Sequence, residues 1–260
     1  MTAYVKSTWI FQIRNRKKSS QRCSNHSLEN EIPPVVPETF LGGSAPRLQH
    51  LSLTRVPFPG LPKLLLSATG LVSLHIWNIP HSGYISPDAM ARCLSTLTRL
   101  ERLVIGFESP LSRPVRKTRH PPTRLALPAL ASFHFVGVSE YLEDILAWID
   151  APVLGSLHIW FFHQLIFDTP QLTQFLARTP NIQPPIEAYI VFYDYYVEVT
   201  STRTFPRTLV LGIKCRKSDW QLSSLTQVCS SSFPDAFISM VEHLYIIDQQ
   251  IGRASCRERV

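Results

Sequence analysis

Cysteine is scarce in this 260-residue chain, limited to Cys23, Cys93, Cys215, Cys229 and Cys256. The count is odd, the spacing is wide and no C-x-x-C occurs. That pattern argues against a disulfide framework and a structural zinc site, and suits an intracellular setting, cytoplasmic or nuclear. No apolar run reaches the roughly 18–20 residues of a membrane span. The longest candidate, "LHIWFFHQLIF", is too short and holds two histidines. The N-terminus lacks the charged start and apolar core of a signal peptide, so the Asn25-His26-Ser27 sequon has no secretory context. Glycine is modest at 10, and there is no glycine-rich phosphate loop, no G-x-S-x-G and no H-E-x-x-H. These absences point to a chain that is not an enzyme, with no cofactor, no metal and no membrane partner.

Charge is also low, at 17% against 45% hydrophobic residues, so most of the chain should bury a core. The 21 prolines favour short, interrupted elements. The formal net charge of +7 is not spread along the chain. Lys6, Arg14, Arg16, Lys17, Lys18 and Arg22 against Glu29 make the first thirty residues strongly basic. Arg253, Arg257 and Arg259 against Glu258 make the last ten basic. Between these ends the body is neutral, which excludes nucleic acid as the expected partner of the folded part.

A repeat organises that body. The spacing L-x-x-L-x-L, with Ile or Phe as substitutes, occurs as Leu48-Leu51-Leu53, Leu71-Leu74-Ile76, Leu100-Leu103-Ile105, Leu130-Phe133-Phe135 and Leu154-Leu157-Ile159. Successive units start 23, 29, 30 and 24 residues apart, close to the roughly 20–29 of leucine-rich repeats. The consensus Asn further along is absent. Each unit predicts a short strand with its second and third consensus residues turned inward. No unit can bury that face alone, so neighbours must stack, and Leu103→Asp would place an unpaired charge in the shared core.

The segments between strands carry helix signals. Ser86-Pro87 and Thr169-Pro170 pair an N-cap with a proline at the first helical position. Ser139 is expected to cap "EYLEDILAWI", where Leu142, Ile145, Leu146 and Ile149 recur at helical spacing. After Pro180 the register loosens. "IEAYIVFYDYYVEVT" predicts two strands around Tyr193-Asp194, and Leu209–Ile213 a further strand. Ser218 with Gln221 reads as a capping box, and Val241, Leu244 and Ile246 restore the repeat spacing. Residues 110–128, rich in Pro and Arg, read as a loop inserted in the third unit, either a solvated loop or a contact for an acidic partner.

Two rows of residues should face away from the core. The first is Ser52, His75, Val104, His134 and His158; the second is Thr54, Trp77, Gly106, Val136 and Trp160. Neighbouring strands lie about 4.8 Å apart, which brings His134 beside His158. That pair lacks a third ligand or a placed carboxylate for metal or general-base work. His75, Trp77, His134, His158 and Trp160 instead form a candidate partner-binding face, because aromatics dominate protein hot spots. The alternative is that these side chains simply pack on neighbouring strands.

The stretches "FLGGSAPRLQHLSL", "LPKLLLSATGLVSLHIWNIPHSGYISPDAMARCLSTLTRLERLVIGFESP", "VSEYLEDILAWIDAPVLGSLHIWFFHQLIFDTPQLTQF" and "SDWQLSSLTQVCSSSFP" resemble the leucine-rich-repeat-like C-terminal halves of F-box proteins of mushroom-forming fungi. The resemblance runs from about Pro34 to about Ile247. It implies an α/β leucine-rich-repeat solenoid of irregular repeats, with parallel strands on the concave face and helices on the convex face. It also implies target recognition within a Skp1-cullin-type ubiquitin ligase. A Skp1-like adaptor would be held only through an F-box, and no F-box is found here. The alternative is a stand-alone leucine-rich-repeat interaction scaffold unrelated to ubiquitination. In either case the protein target is unknown.

Three segments follow from this reading: 1–33, a doubtful or disordered N-terminal segment without an F-box or the family's lead-in; 34–250, the repeat domain; and 251–260. The last, "IGRASCRERV", is the in-frame translation of ATC GGA AGA GCG TCG TGT AGG GAA AGA GTG, the reverse complement of a common sequencing-library adapter. It is therefore expected to be an artefact, with the repeat domain incomplete at both ends.

Overall fold

The computed structural model describes residues 10–14, 35–110, 124–202, 208–215 and 218–249. The chain is an α/β protein built on one large, mostly parallel sheet. β1 (Ile10–Arg14) lies at one edge and pairs in parallel with β2 (His50–Thr54). A helix, α1 (Leu61–Ser67), leads to β3 (Ser73–Ile79), and α2 (Pro87–Leu94) leads to β4 (Arg102–Phe107). The two-residue β5 (Leu125–Ala126) precedes β6 (Ser132–Gly137) and α3 (Ser139–Trp148). β7 (Ile149–Asp150) pairs with β5 in a small second sheet. β8 (Ser156–Phe162) and α4 (Pro170–Ala177) complete the regular part. β2, β3, β4, β6 and β8 run side by side in parallel, and they fall where the repeat spacing places strands.

Alternation decides what each strand buries. The inward residues Leu51 and Leu53, Leu74 and Ile76, Leu103 and Ile105, Phe133 and Phe135, and Leu157 and Ile159 are 0–4% exposed. They join Leu64, Leu65, Met90, Leu94, Leu142, Ile145, Leu172 and Phe175 from the helices in a single core. The helices stack in chain order along that face, α1 on α2, α2 on α3 and α3 on α4. Between β4 and β6 the chain crosses without a helix among the described residues. Most of the Pro/Arg-rich insertion, 111–123, lies outside them. Beside this crossing Tyr141 stacks on Phe135 and meets Phe107 edge-on.

The helix starts differ in their chemistry. Ser86 caps α2 as its spacing predicts, accepting from the Ala89 N–H at 3.3 Å. Ser139 does not act as a cap; it is the first residue of α3, and its N–H donates to Gln164 Oε1 at 2.8 Å. Thr169 precedes α4 without capping it through its side chain. Glu143 from α3 does so instead, accepting from the N–H groups of Gln171 and Leu172 at 2.7 and 2.9 Å. A carboxylate there also meets the positive end of the helix dipole. Thr169 is fully buried, its hydroxyl bonded to Ser231 and Ser232.

Beyond β8 the chain order and the sheet order part. β9 (Glu187–Phe192) and β10 (Tyr196–Thr202) form the expected antiparallel pair, and β11 (Thr208–Lys214) the expected strand. It is β11, however, that continues the parallel series on β8, with β10 antiparallel to it. After α5 (Ser218–Ser232) and the five-residue α6 (Asp235–Ser239), β12 (His243–Asp248) pairs in parallel with β9 and ends the sheet. The Ser218 side chain lies outside the described residues. Gln221 is used elsewhere than in a capping box: its amide donates to the carbonyls of Tyr193 and Cys215, pinning α5 to the β9–β10 turn.

Candidate functional site

The sheet face away from the helices carries both predicted rows. Register aligns Ser52, His75, Val104, His134 and His158 directly across five strands. The second row pairs Thr54 with Trp77, and Gly106 with Val136 and Trp160. Between Trp77 and Gly106 the register shifts, and Asn78 there has φ of 51°. Asn tolerates that left-handed conformation better than most residues.

The structure brings four of the five candidate residues together as half-buried rings, with Trp160 two residues beyond His158 on the same strand. His75 and Trp77 lie 6.1 Å apart between centroids, Trp77 and His134 5.3 Å, and His134 and His158 5.7 Å. Ser52 Oγ sits 3.5 Å from His75 Nδ1. Trp160 meets Tyr196 edge-on at 5.1 Å, and Tyr196 stacks on Tyr193 at 4.1 Å.

Two glycines let the indoles lie flat. A Cβ on Gly106 would stand 2.6 Å from Trp77 Cε3, and one on Gly212 would stand 2.5 Å from Trp160 Cζ3. Real side chains do not approach so closely, so each tryptophan occupies the space a side chain on the neighbouring strand would need. A lone glycine inside a strand is the sequence signal for such an approach. Gly212 follows that rule but was absent from the predicted rows, as were Tyr193, Tyr196 and Lys214. Alternation along "YYVEVT" places Tyr196 and Glu198 on one face. What hid them was the insertion of β11 between β8 and β10.

Burial and neighbouring positive charge favour the neutral form of the buried histidines on this face. Burial, then the neighbouring His158, His75 and Lys214, lowers the His134 pKa to about 4. Burial also lowers His158 and Lys214. His134 is thus a neutral imidazole at pH 7, and its Nε2 is buried without a hydrogen-bond partner among the described residues. Glu198 is raised by burial while accepting from the Tyr193 hydroxyl at 3.3 Å. Lys214 packs over the Phe162 ring at 5.2 Å.

Among the described residues no group of three His, Cys, Asp or Glu side chains could hold a metal ion. Cys93, Cys215 and Cys229 are reduced thiols, and burial raises Cys93 to about 11 and Cys229 to about 12, so neither of these two is a ready nucleophile. No described helix is long and apolar enough to cross a membrane. The face can offer ring surface and imidazole hydrogen bonds to a partner. No family model, curated protein or solved structure matches the chain.

Proposed function

We propose that the chain is a non-catalytic, protein-binding domain, a leucine-rich-repeat solenoid that recognises targets for an F-box receptor of a Skp1-cullin-type ubiquitin ligase. The observation that carries the binding half of this reading is the cluster of His75, Trp77, His134, His158 and Trp160 on one face of the parallel strands β3, β6 and β8, continued by Tyr196. Trp and Tyr offer large contact area at low conformational cost, which is why they recur as hot spots. Neutral imidazoles add hydrogen-bonding capacity without the desolvation penalty of a fixed charge. The ubiquitin-ligase half rests on the family resemblance of the repeat stretches, and the reduced thiols of the described cysteines fit a reducing, intracellular setting.

Affinity purification of the tagged intact gene product tests both halves. The reading expects a Skp1-like adaptor together with target proteins. Targets recovered without an adaptor would favour the stand-alone scaffold. Neither would overturn the proposal.

A further inference from the structure

β12 departs from the other strands that carry the repeat spacing. Leu244 and Ile246 pair with Ala188 and Ile190, which places them on the core side of the sheet. They are 56% and 66% exposed, whereas the corresponding residues of β2, β3, β4, β6 and β8 are 4% exposed or less. Tyr245 and Ile247, on the opposite face, are exposed as well. Edge strands that face water are usually guarded by charge, proline or a bulge. Residues Leu244–Ile247 have none of these.

A cavity of about 370 Å³ opens beside this strand. Ala188, Ile190 and Val199 line it from the sheet, and Phe233, Phe237 and Val241 from the α5–α6 side. α5 packs on β10 and β11, and α6 is a single short turn before β12. Among the described elements, β9 and β12 have no full-length helix of their own beneath them.

The rest of the molecule indicates what belongs there. β2, β6, β8 and β11 are each followed directly in the chain by an α-helix, and β3 by α2 after a 3-10 turn at His81–Gly83; these helices, α1 to α5, join the same core. β12 has the spacing of β2, β3, β6 and β8, Val241-x-x-Leu244-x-Ile246. We infer that β12 opens a further strand-helix unit, and that the helix following it in the natural chain lies across Leu244 and Ile246 with apolar side chains in the cavity. Such a helix needs apolar residues at i, i+3 and i+4. "IGRASCRERV" does not supply that stripe, since Ile251 and Val260 are its only large apolar residues. The inference rests on the repeat reading and on the expectation that 251–260 is adapter-derived, but not on ubiquitin chemistry or on the aromatic face.

Leu244→Cys tests it in two proteins: this 260-residue chain and the natural gene product, read from genomic DNA through the codons after Gln249. Maleimide labelling at position 244 is followed by peptide mass spectrometry, with Ile246→Cys as a second reporter. Both sites are exposed, so neither variant is expected to disturb folding. Labelling at least about ten times slower in a monomeric natural product is expected. Equal labelling in both monomers would overturn the inference. So would protection that rises with concentration alongside dimer formation, protection only on adding a target protein, or a natural frame with no apolar helical stripe after Gln249. Target retention measured on the same samples shows separately whether the binding function stands.

Discussion

Gly212→Ala offers a sharp test of the open face, because its effect should change sign with one neighbour. The added Cβ would lie 2.5 Å from Trp160 Cζ3, with the ring face rather than a flexible tip in the way. Trp160 must then tilt off Gly212, against its edge contact with Tyr196 at 5.1 Å. An aromatic pair contributes about 0.5–1.5 kcal/mol beyond area burial, and forced overpacking costs about 1–3 kcal/mol. The variant should therefore lose about 1–3 kcal/mol. In a Trp160→Ala background the obstacle is gone. There Gly→Ala should be neutral or stabilise by about 0.4–1 kcal/mol, by reducing the entropy of the unfolded chain. Urea unfolding of the four proteins of this double-mutant cycle gives the coupling directly. Equal destabilisation in both backgrounds would refute the reasoning, since the penalty would then lie in the backbone and not in the indole.

Three further outcomes follow from the packing and the titrating groups. Leu103→Ala, at a fully buried position of β4, should cost about 2–5 kcal/mol in urea unfolding. Glu143 is pushed up to about 7 by burial, against the two backbone N–H groups it accepts from. The folded chain therefore holds a proton that the unfolded chain releases near 4.5. Wild type should lose stability relative to Glu143→Gln as pH rises from about 4.5 to 7, measured by unfolding midpoints across that range. His134, lowered to about 4, has the opposite sign. Its contribution is fully present above about 6.5 and is lost as pH falls toward 4, and its imidazole resonance should titrate near 4 in NMR.

The part of the fold that was legible in the sequence is the part where one signal decides both the element and its neighbour. Leu51, Leu74, Leu103, Phe133 and Leu157 announce strands, and their repetition announces parallel pairing in chain order. The same spacing placed His75, Trp77, His134, His158 and Trp160 on one face. Past β8 the strands themselves remained legible, but not their order. The partner of β8 is chosen by tertiary packing, and β11 wins that edge over β9. Helix starts were legible only where the cap is local. Ser86 acts on its own helix, whereas α4 is capped by Glu143, about 28 residues upstream in another helix. Ile10–Arg14, in a segment with no assigned element, adds β1 to the β2 edge.

Site-specific photo-crosslinking tests the account's central claim most directly. A photoreactive phenylalanine analogue is placed at position 75 on the aromatic face, or at the exposed Leu66 on α1, of the intact gene product in its native cells. The account predicts that position 75 captures target protein and position 66 does not. Capture from position 66 alone, or equally from both, would contradict it.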